Sequence, residues 1–175
     1  MKLSYVDFGQ FEAGIMGALS GDQQMLDLFA SGDIYSIVAE KVFSDVSKRK
    51  SAKRLFLSYA YGMKRKSLID AAVEFGAQRD VAKAFFDQFS TFEKWKLGVW
   101  SEFQTAGRIG TVFGNYLSRS GSGELSEKEK RSAVSQVVQG TASLIFKKAL
   151  LKMGFLTSVE LKIPMHDAVL FQHPE

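Results

Sequence analysis

The stretch LSYVDF (Leu3 to Phe8) alternates apolar and polar residues and is β-prone, which predicts a strand ending near Asp7. From Gln10 the period changes to that of a helix, with Phe11, Ile15, Ala18 and Leu19 on one face. SGD (Ser20 to Asp22) breaks this helix and offers an N-cap to a short one carrying Met25, Leu26, Leu28 and Phe29. The tripeptide recurs at Ser31 to Asp33 and opens an apolar-periodic segment that runs through Phe43. The flanking residues do not repeat, so the two copies are reused cap chemistry. A basic helix follows over about Lys48 to Tyr61, closed by Gly62, a residue type suited to a helix C-terminus. Helices are predicted over Lys66 to Phe75 and over Arg79 to Thr105.

Beyond these helices, AGRIGTVFGNYLS reads as turns and short strand pieces, and SRSGSGELS (Ser118 to Ser126) is the most linker-like stretch. Ser126 and Glu129 form a capping-box pattern that opens a long helix reaching about Met153. SVELKIP and DAVLFQ flank MH as the two strands of a tight hairpin, with Pro164 placed at its turn. The fold class is α+β: a small antiparallel sheet with much more helix.

Composition narrows the class without naming a function. The 46% hydrophobic and 24% charged residues are those of an ordinary soluble globule. No apolar run approaches the ~20 residues that cross a bilayer, and Asp7 interrupts the opening too soon for a signal peptide. An intracellular protein without a membrane partner is expected. The absence of Cys excludes disulfides and thiolate-bound metals. Charge changes the picture more: KRKSAKR (Lys48 to Arg54) and KRK (Lys64 to Lys66) gather eight of the 23 Lys and Arg residues. Such a cluster is a solvated helix face, a nuclear-localisation run or a surface for phosphates, and composition does not choose among them.

Two carboxylates supply candidate chemistry. Asp7 ends the first strand and Asp167 sits at the last hairpin's turn, so pairing of these strands brings them to one sheet edge. Oxygen ligands without His or Cys suit a hard cation such as Mg²⁺, and two such ions clamp an in-line phosphoryl displacement. A single Asp at a strand end is more commonly a turn or cap residue. Arg49, Lys53, Leu57 and Tyr61 fall at i, i+4, i+8 and i+12, one winding stripe on the basic helix. Cations at one end and an aromatic hydroxyl at the other suit a triphosphate with its sugar and base. The same spacing also arises on any Lys-rich helix.

Taken in order, DFGQFE, RKSAKRLFLSYAYG, QGTA and HDA resemble the motifs of the family A DNA polymerases, the DNA polymerase I type. Motif A of that family reads D-Y-S-Q-I-E, motif B R-x-x-x-K-x-x-x-F/Y-x-x-x-Y-G and motif C H-D-E. LSGDQQMLDLFASGDIY, GTVFGN and VVQGTASLIFKKAL extend the likeness over nearly the whole chain. The resemblance implies an incomplete right-hand polymerase fold, a mostly helical fingers lobe on a small palm sheet. Residues 1–30 would be the palm strand with motif A and the helices after it, 31–118 the fingers lobe, and 119–175 the palm helix with the motif C hairpin.

The resemblance also implies roles. Asp7 and Asp167 would be the catalytic ligands of two Mg²⁺ ions, with Gln10 beside them. Glu12 would be a steric gate against a ribose 2′-OH, packed near Tyr61. Arg49 and Lys53 would bind the incoming triphosphate, Leu57 would occupy the place of a ring that stacks on the nucleotide, and Tyr61 and Gly62 would line the nascent-pair pocket. Arg131 and Gln139 would touch primer-template DNA, and His166 would face the primer terminus. The partners implied are primer-template DNA, dNTPs and a second polypeptide or missing segment supplying the thumb and remaining palm. The setting implied is the cytoplasm of a bacterial or phage-infected cell.

Four positions depart from the pattern: Ala168 for the motif C Glu, Leu57 for Phe or Tyr, Asn115 for Arg, and Tyr35 for a His in D-I-H. The expected function is template-directed DNA synthesis by the fingers and palm part of a split or truncated DNA polymerase. The alternative is a catalytically impaired relict that binds DNA or nucleotide.

Overall fold

A computed structural model of the protein describes residues 1–174. Its sheet has three antiparallel strands in the order β1 (Lys2–Asp7), β5 (Ala168–His173), β4 (Glu160–Met165). The last strand is therefore central, and the first pairs with it across the whole chain, Asp7 opposite Ala168 and Lys2 opposite His173. The β4–β5 turn is His166–Asp167, since Met165 faces Ala168. Pro164 is not at this turn: it lies inside β4, opposite Val169. β4 is an edge strand, where a residue without an N–H is tolerated.

Five helices follow β1 in sequence, α1 (Phe11–Ser20), α2 (Gln23–Ala30), α3 (Ile34–Phe43), α4 (Arg49–Ala60) and α5 (Arg65–Glu74), with a short 3₁₀ turn, Val46–Lys48, before α4. The two SGD copies behave differently. Asp22 is buried and caps α2 by accepting from the Met25 N–H at 3.0 Å, while its other oxygen accepts from the Phe92 N–H at 2.8 Å. Asp33 stands at the N-cap position of α3 but makes no capping bond. Gln10, from the start of α1, takes that role: its Oε1 accepts from the Ile34 N–H at 2.6 Å. A carboxylate already engaged by Arg49 leaves the helix end to a neutral amide.

The predicted helix from Arg79 to Thr105 is two, α6 (Arg79–Asp87) and α7 (Ser90–Ala106). The buried positions Phe85, Phe89, Phe92 and Lys96 keep helical spacing through the break, so the sequence period carries no sign of it. Phe89, in the break, is the hub of an aromatic core, with ring centroids 5.5 Å from Phe85, 5.9 Å from Tyr59 and 6.5 Å from Phe56. Lys96 is buried beside it at 2% exposure, its Nζ donating to the Tyr59 carbonyl at 3.1 Å and paired with Glu93 at 2.9 Å. Burial lowers the Lys96 pKa, and Glu93 opposes that shift. The Lys96 contact satisfies a carbonyl in the last turn of α4, where a cation is favoured.

The Tyr59 hydroxyl is buried without a partner in hydrogen-bonding geometry. Burial first, then the nearby Glu93 charge, raises its pKa. Leaving a hydroxyl unpaired in the core is unfavourable. Tyr59→Phe is therefore expected to match or exceed native stability, by up to about 1 kcal/mol. Urea denaturation measures this directly, and a clear loss of stability would mean that the hydroxyl has a partner in solution.

Short strands β2 (Arg108–Gly110) and β3 (Tyr116–Ser118) pair ahead of α8 (Glu127–Gly154). α8 begins with both halves of the Ser126–Glu129 capping box. The linker-like stretch before it is tied down: the Arg119 guanidinium is buried, bonding Glu129 at 2.9 Å and the Gly123 carbonyl at 3.1 Å. Gly140 lets the hairpin approach α8, because a Cβ there would lie 2.9 Å from the Thr111 methyl. No helix among the described residues is long and apolar enough to cross a membrane.

Candidate active site

β1 and the β4–β5 turn place Asp7 and Asp167 at the same end of the sheet, and the Phe8 N–H donates to the Asp167 carbonyl at 3.1 Å. Immediately after β1, Phe8 stacks on Phe11 at 4.4 Å and meets Phe146 of α8 edge-on at 6.3 Å, which fixes the turn into α1. Gln10 enters α1 with φ 54°, a left-handed backbone uncommon outside glycine.

The two aspartates border a cleft of about 640 Å³ whose walls include Glu12 and Gln10 from α1's start, His166 from the turn and Gln139 from α8. Arg49, Lys53 and Leu57 of α4 line the same cleft, so three members of the predicted stripe face the carboxylates. Gln10 borders the cleft, but its carboxamide is turned to α3, with the Ile34 bond and a 3.5 Å contact to the Gly32 carbonyl. His166 is 86% exposed, and its ring nitrogen is 4.0 Å from Asp167.

Arg49 forms a two-point pair with Asp33, Nε to Oδ2 at 2.6 Å and Nη2 to Oδ1 at 3.0 Å. The Arg49 hydrogen bond is the main reason the Asp33 carboxyl is held down at about 2, with the Ser36 hydroxyl assisting. Lys53 has no carboxylate partner among the described residues. Both cations lie over the Tyr35 ring, each 5.4 Å from its centroid. Tyr35 and Asp33 are site residues that the stripe pattern does not reveal. They precede α4 by more than a helix turn and reach it only through the packing of α3 on α4.

Tyr61, the stripe's last member, joins the site through Gln139, whose Nε2 donates to Glu12 at 3.1 Å and reaches the Tyr61 hydroxyl at 3.5 Å. Burial, then the Glu12 carboxylate, raises the Tyr61 pKa. The expected proximity of Glu12 and Tyr61 is thus present, with Gln139 between them. Gly62 follows with φ 98°, and the Met63 N–H bonds back to the Ser58 carbonyl at 2.8 Å, ending α4 as glycine permits. A Cβ on Gly62 would also sit 3.1 Å from Trp100. Arg131, Tyr61, Gln136 and Gln139 border a second hollow of about 520 Å³, and Gln139 belongs to both.

Among the described residues no group of three or more His, Asp or Glu side chains gathers in metal-binding geometry. Ala168, beside Asp167 and opposite Asp7, is buried and supplies no third carboxylate. The donors present are two carboxylates on an open cleft. That set fits Mg²⁺ sharing its remaining positions among water and substrate phosphates.

A small antiparallel sheet carrying two aspartates, faced by a basic helix, makes an α+β domain, and comparison with known proteins gives its family. The sequence profile of DNA polymerase family A matches residues 1–175. DNA polymerase I of Pseudomonas aeruginosa is 30% identical over 85% of this chain and 18% of its own length. The thermostable DNA polymerase I of Thermus filiformis is 29% identical over 97% of this chain and 22% of its own. The structure described as "POL domain of Pol1 from M. smegmatis complex with DNA primer-template and dNTP" superposes with a TM-score of 0.71 at 25% identity, covering the whole chain and 34% of that one. This chain belongs to DNA polymerase family A. It spans about a fifth of the length of these two curated relatives.

Proposed function

We propose that the cleft is the nucleotidyl-transfer centre of template-directed DNA synthesis, joining dNTPs to a primer 3′ end. The observation that carries this reading is the convergence, on one cleft, of Asp7 and Asp167 with Arg49 and Lys53 from the opposite side. In this reading Asp7 and Asp167 hold two Mg²⁺ ions, whose chemistry is to stabilise charge on the attacking and leaving oxygens. Arg49 and Lys53 neutralise the triphosphate and orient it for in-line attack. Leu57 packs against the incoming base, and Tyr61 and Gly62 bound the nascent pair. Glu12, held by Gln139 beside Tyr61, occupies the volume of a 2′-OH. Arg131 and Gln139 grip the primer-template duplex, and His166 borders the primer terminus.

Residues 1–30 and 119–175 then form the palm side and 31–118 the fingers. The thumb and remaining palm come from a further segment or a second polypeptide, and the setting is the cytoplasm of a bacterial or phage-infected cell.

One observation favours a second reading. With Ala168 in place of a third carboxylate, the site retains the groups that hold nucleotide while its acidic set is reduced, as in a binding module that has lost turnover.

Sugar selection tests the first reading. Glu12→Ala is expected to raise ribonucleotide incorporation at least about tenfold in competition with dNTPs, a change of about 1.4 kcal/mol in discrimination. Deoxynucleotide incorporation should not rise. Unchanged sugar preference would assign Glu12 only to its bond with Gln139.

A further inference from the structure

Asp33 is an N-cap aspartate that does not cap. Its backbone is extended, at φ −72° and ψ 96°, as an N-cap requires, yet its carboxylate accepts no capping bond from a backbone N–H of α3. Gln10 closes that turn instead. Both Asp33 oxygens are given to Arg49, with the Ser36 hydroxyl as an additional donor. This pair lies on solvent-exposed ground, with the two side chains 48% and 34% exposed. Its two-point geometry makes it stronger than a single contact, but its exposure leaves it open to exchange with another anion. A phosphate offers a guanidinium the same two-point geometry with more charge. Lys53, one turn along α4, has no such partner among the described residues, so one cation of the cleft is held and the other is free.

We infer that Asp33 is an internal competitor for the triphosphate subsite, holding Arg49 until a phosphate takes the carboxylate's place on the guanidinium. This rests on the reading of Arg49 as a triphosphate ligand. Asp33 thereby sets nucleotide affinity without touching nucleotide. It is a positioning residue that favours ligands with enough phosphate charge to displace it, so a nucleoside triphosphate gains access to Arg49 where a monophosphate does not. The low Asp33 pKa keeps the competitor ionised throughout the neutral range.

The test is calorimetric titration of the protein with dATP and with inorganic tripolyphosphate, both with magnesium, for native, Asp33→Asn, Arg49→Ala and the double variant. Asp33→Asn is expected to tighten binding of both probes by about two- to fivefold, the range for releasing an exposed ion pair. In the Arg49→Ala background the same substitution should change nothing. Thermal melting accompanies each titration, and Asp33→Ser, another cap residue, replaces the Asn variant if that melts early.

Weakened or unchanged affinity in Asp33→Asn, with Arg49→Ala still reducing binding, overturns the competition and leaves the nucleotide site standing. Equal tightening with and without Arg49 also overturns it, because removal of a negative charge would then be the whole effect. Absence of binding by both native and Asp33→Asn protein overturns the nucleotide reading and the competition together.

Discussion

Asp7→Ala and Asp167→Ala are each expected to lower nucleotide incorporation by at least about a thousandfold, equivalent to about 4 kcal/mol of transition-state stabilisation. The assay is primer extension in the assembly where the native chain is active, with DNA binding measured in parallel. Asp7 ends β1 and Asp167 lies in the β4–β5 turn at the same sheet end, joined by the Phe8 to Asp167 backbone bond. In the proposed reading, removing either leaves one carboxylate where two would hold the ions that take up charge on the reacting oxygens. DNA affinity should change little, because the hollow proposed to grip DNA is bordered by Arg131, Gln136 and Gln139 and by neither aspartate. Incorporation within tenfold of native in both variants would discard the two-aspartate centre. Native protein that binds nucleotide but adds none, in an otherwise complete assembly, would favour the binding module suggested by Ala168.

Phe89→Ala is expected to produce the largest loss of stability, about 3–5 kcal/mol, because it removes a fully buried ring whose site is too enclosed to collapse. Phe89 has 0% exposure and sits where α6 passes into α7, touching rings from α4 and α6 at once. For a chain of this size the melting temperature should fall by about 6–20 °C. The loss has a functional side, since Phe56 and Tyr59 are the inward face of the helix whose outward face carries Arg49, Lys53 and Leu57. Weakening of the core should therefore lower nucleotide affinity before it alters the Asp7–Asp167 end of the sheet. A fall below about 1 kcal/mol would show that neighbouring rings fill the space, as redundant cores do.

Much of this architecture is legible in local chemistry. The Ser126–Glu129 capping box, the Asp22 cap, the alternation of Leu3 to Phe8 and the closing Gly62 each act within a few residues, so their effects follow from sequence alone. The order of Asp7, Arg49, Lys53, Gln139 and Asp167 along the chain likewise carries the family likeness before any fold is known.

What the sequence does not carry is competition between partners. Local propensity assigns Asp33 to the helix it precedes, whereas the packing of α3 against α4 brings a guanidinium whose charge-assisted bonds outweigh a cap. The helical period runs unbroken through Phe89, whereas the fold seats that ring among Phe56, Tyr59 and Phe85 and brings the Asp22 carboxylate to the Phe92 N–H in the first turn of α7. Pro164 looks like a turn residue, whereas the pairing of Met165 with Ala168 moves the turn two residues on and leaves the proline on a free edge. The sequence by itself determined which residues carry charge, which faces are apolar and where most helices start. The tertiary structure alone decided which charges meet, because ion pairs and ring contacts form between segments far apart in the chain, where no local period records them.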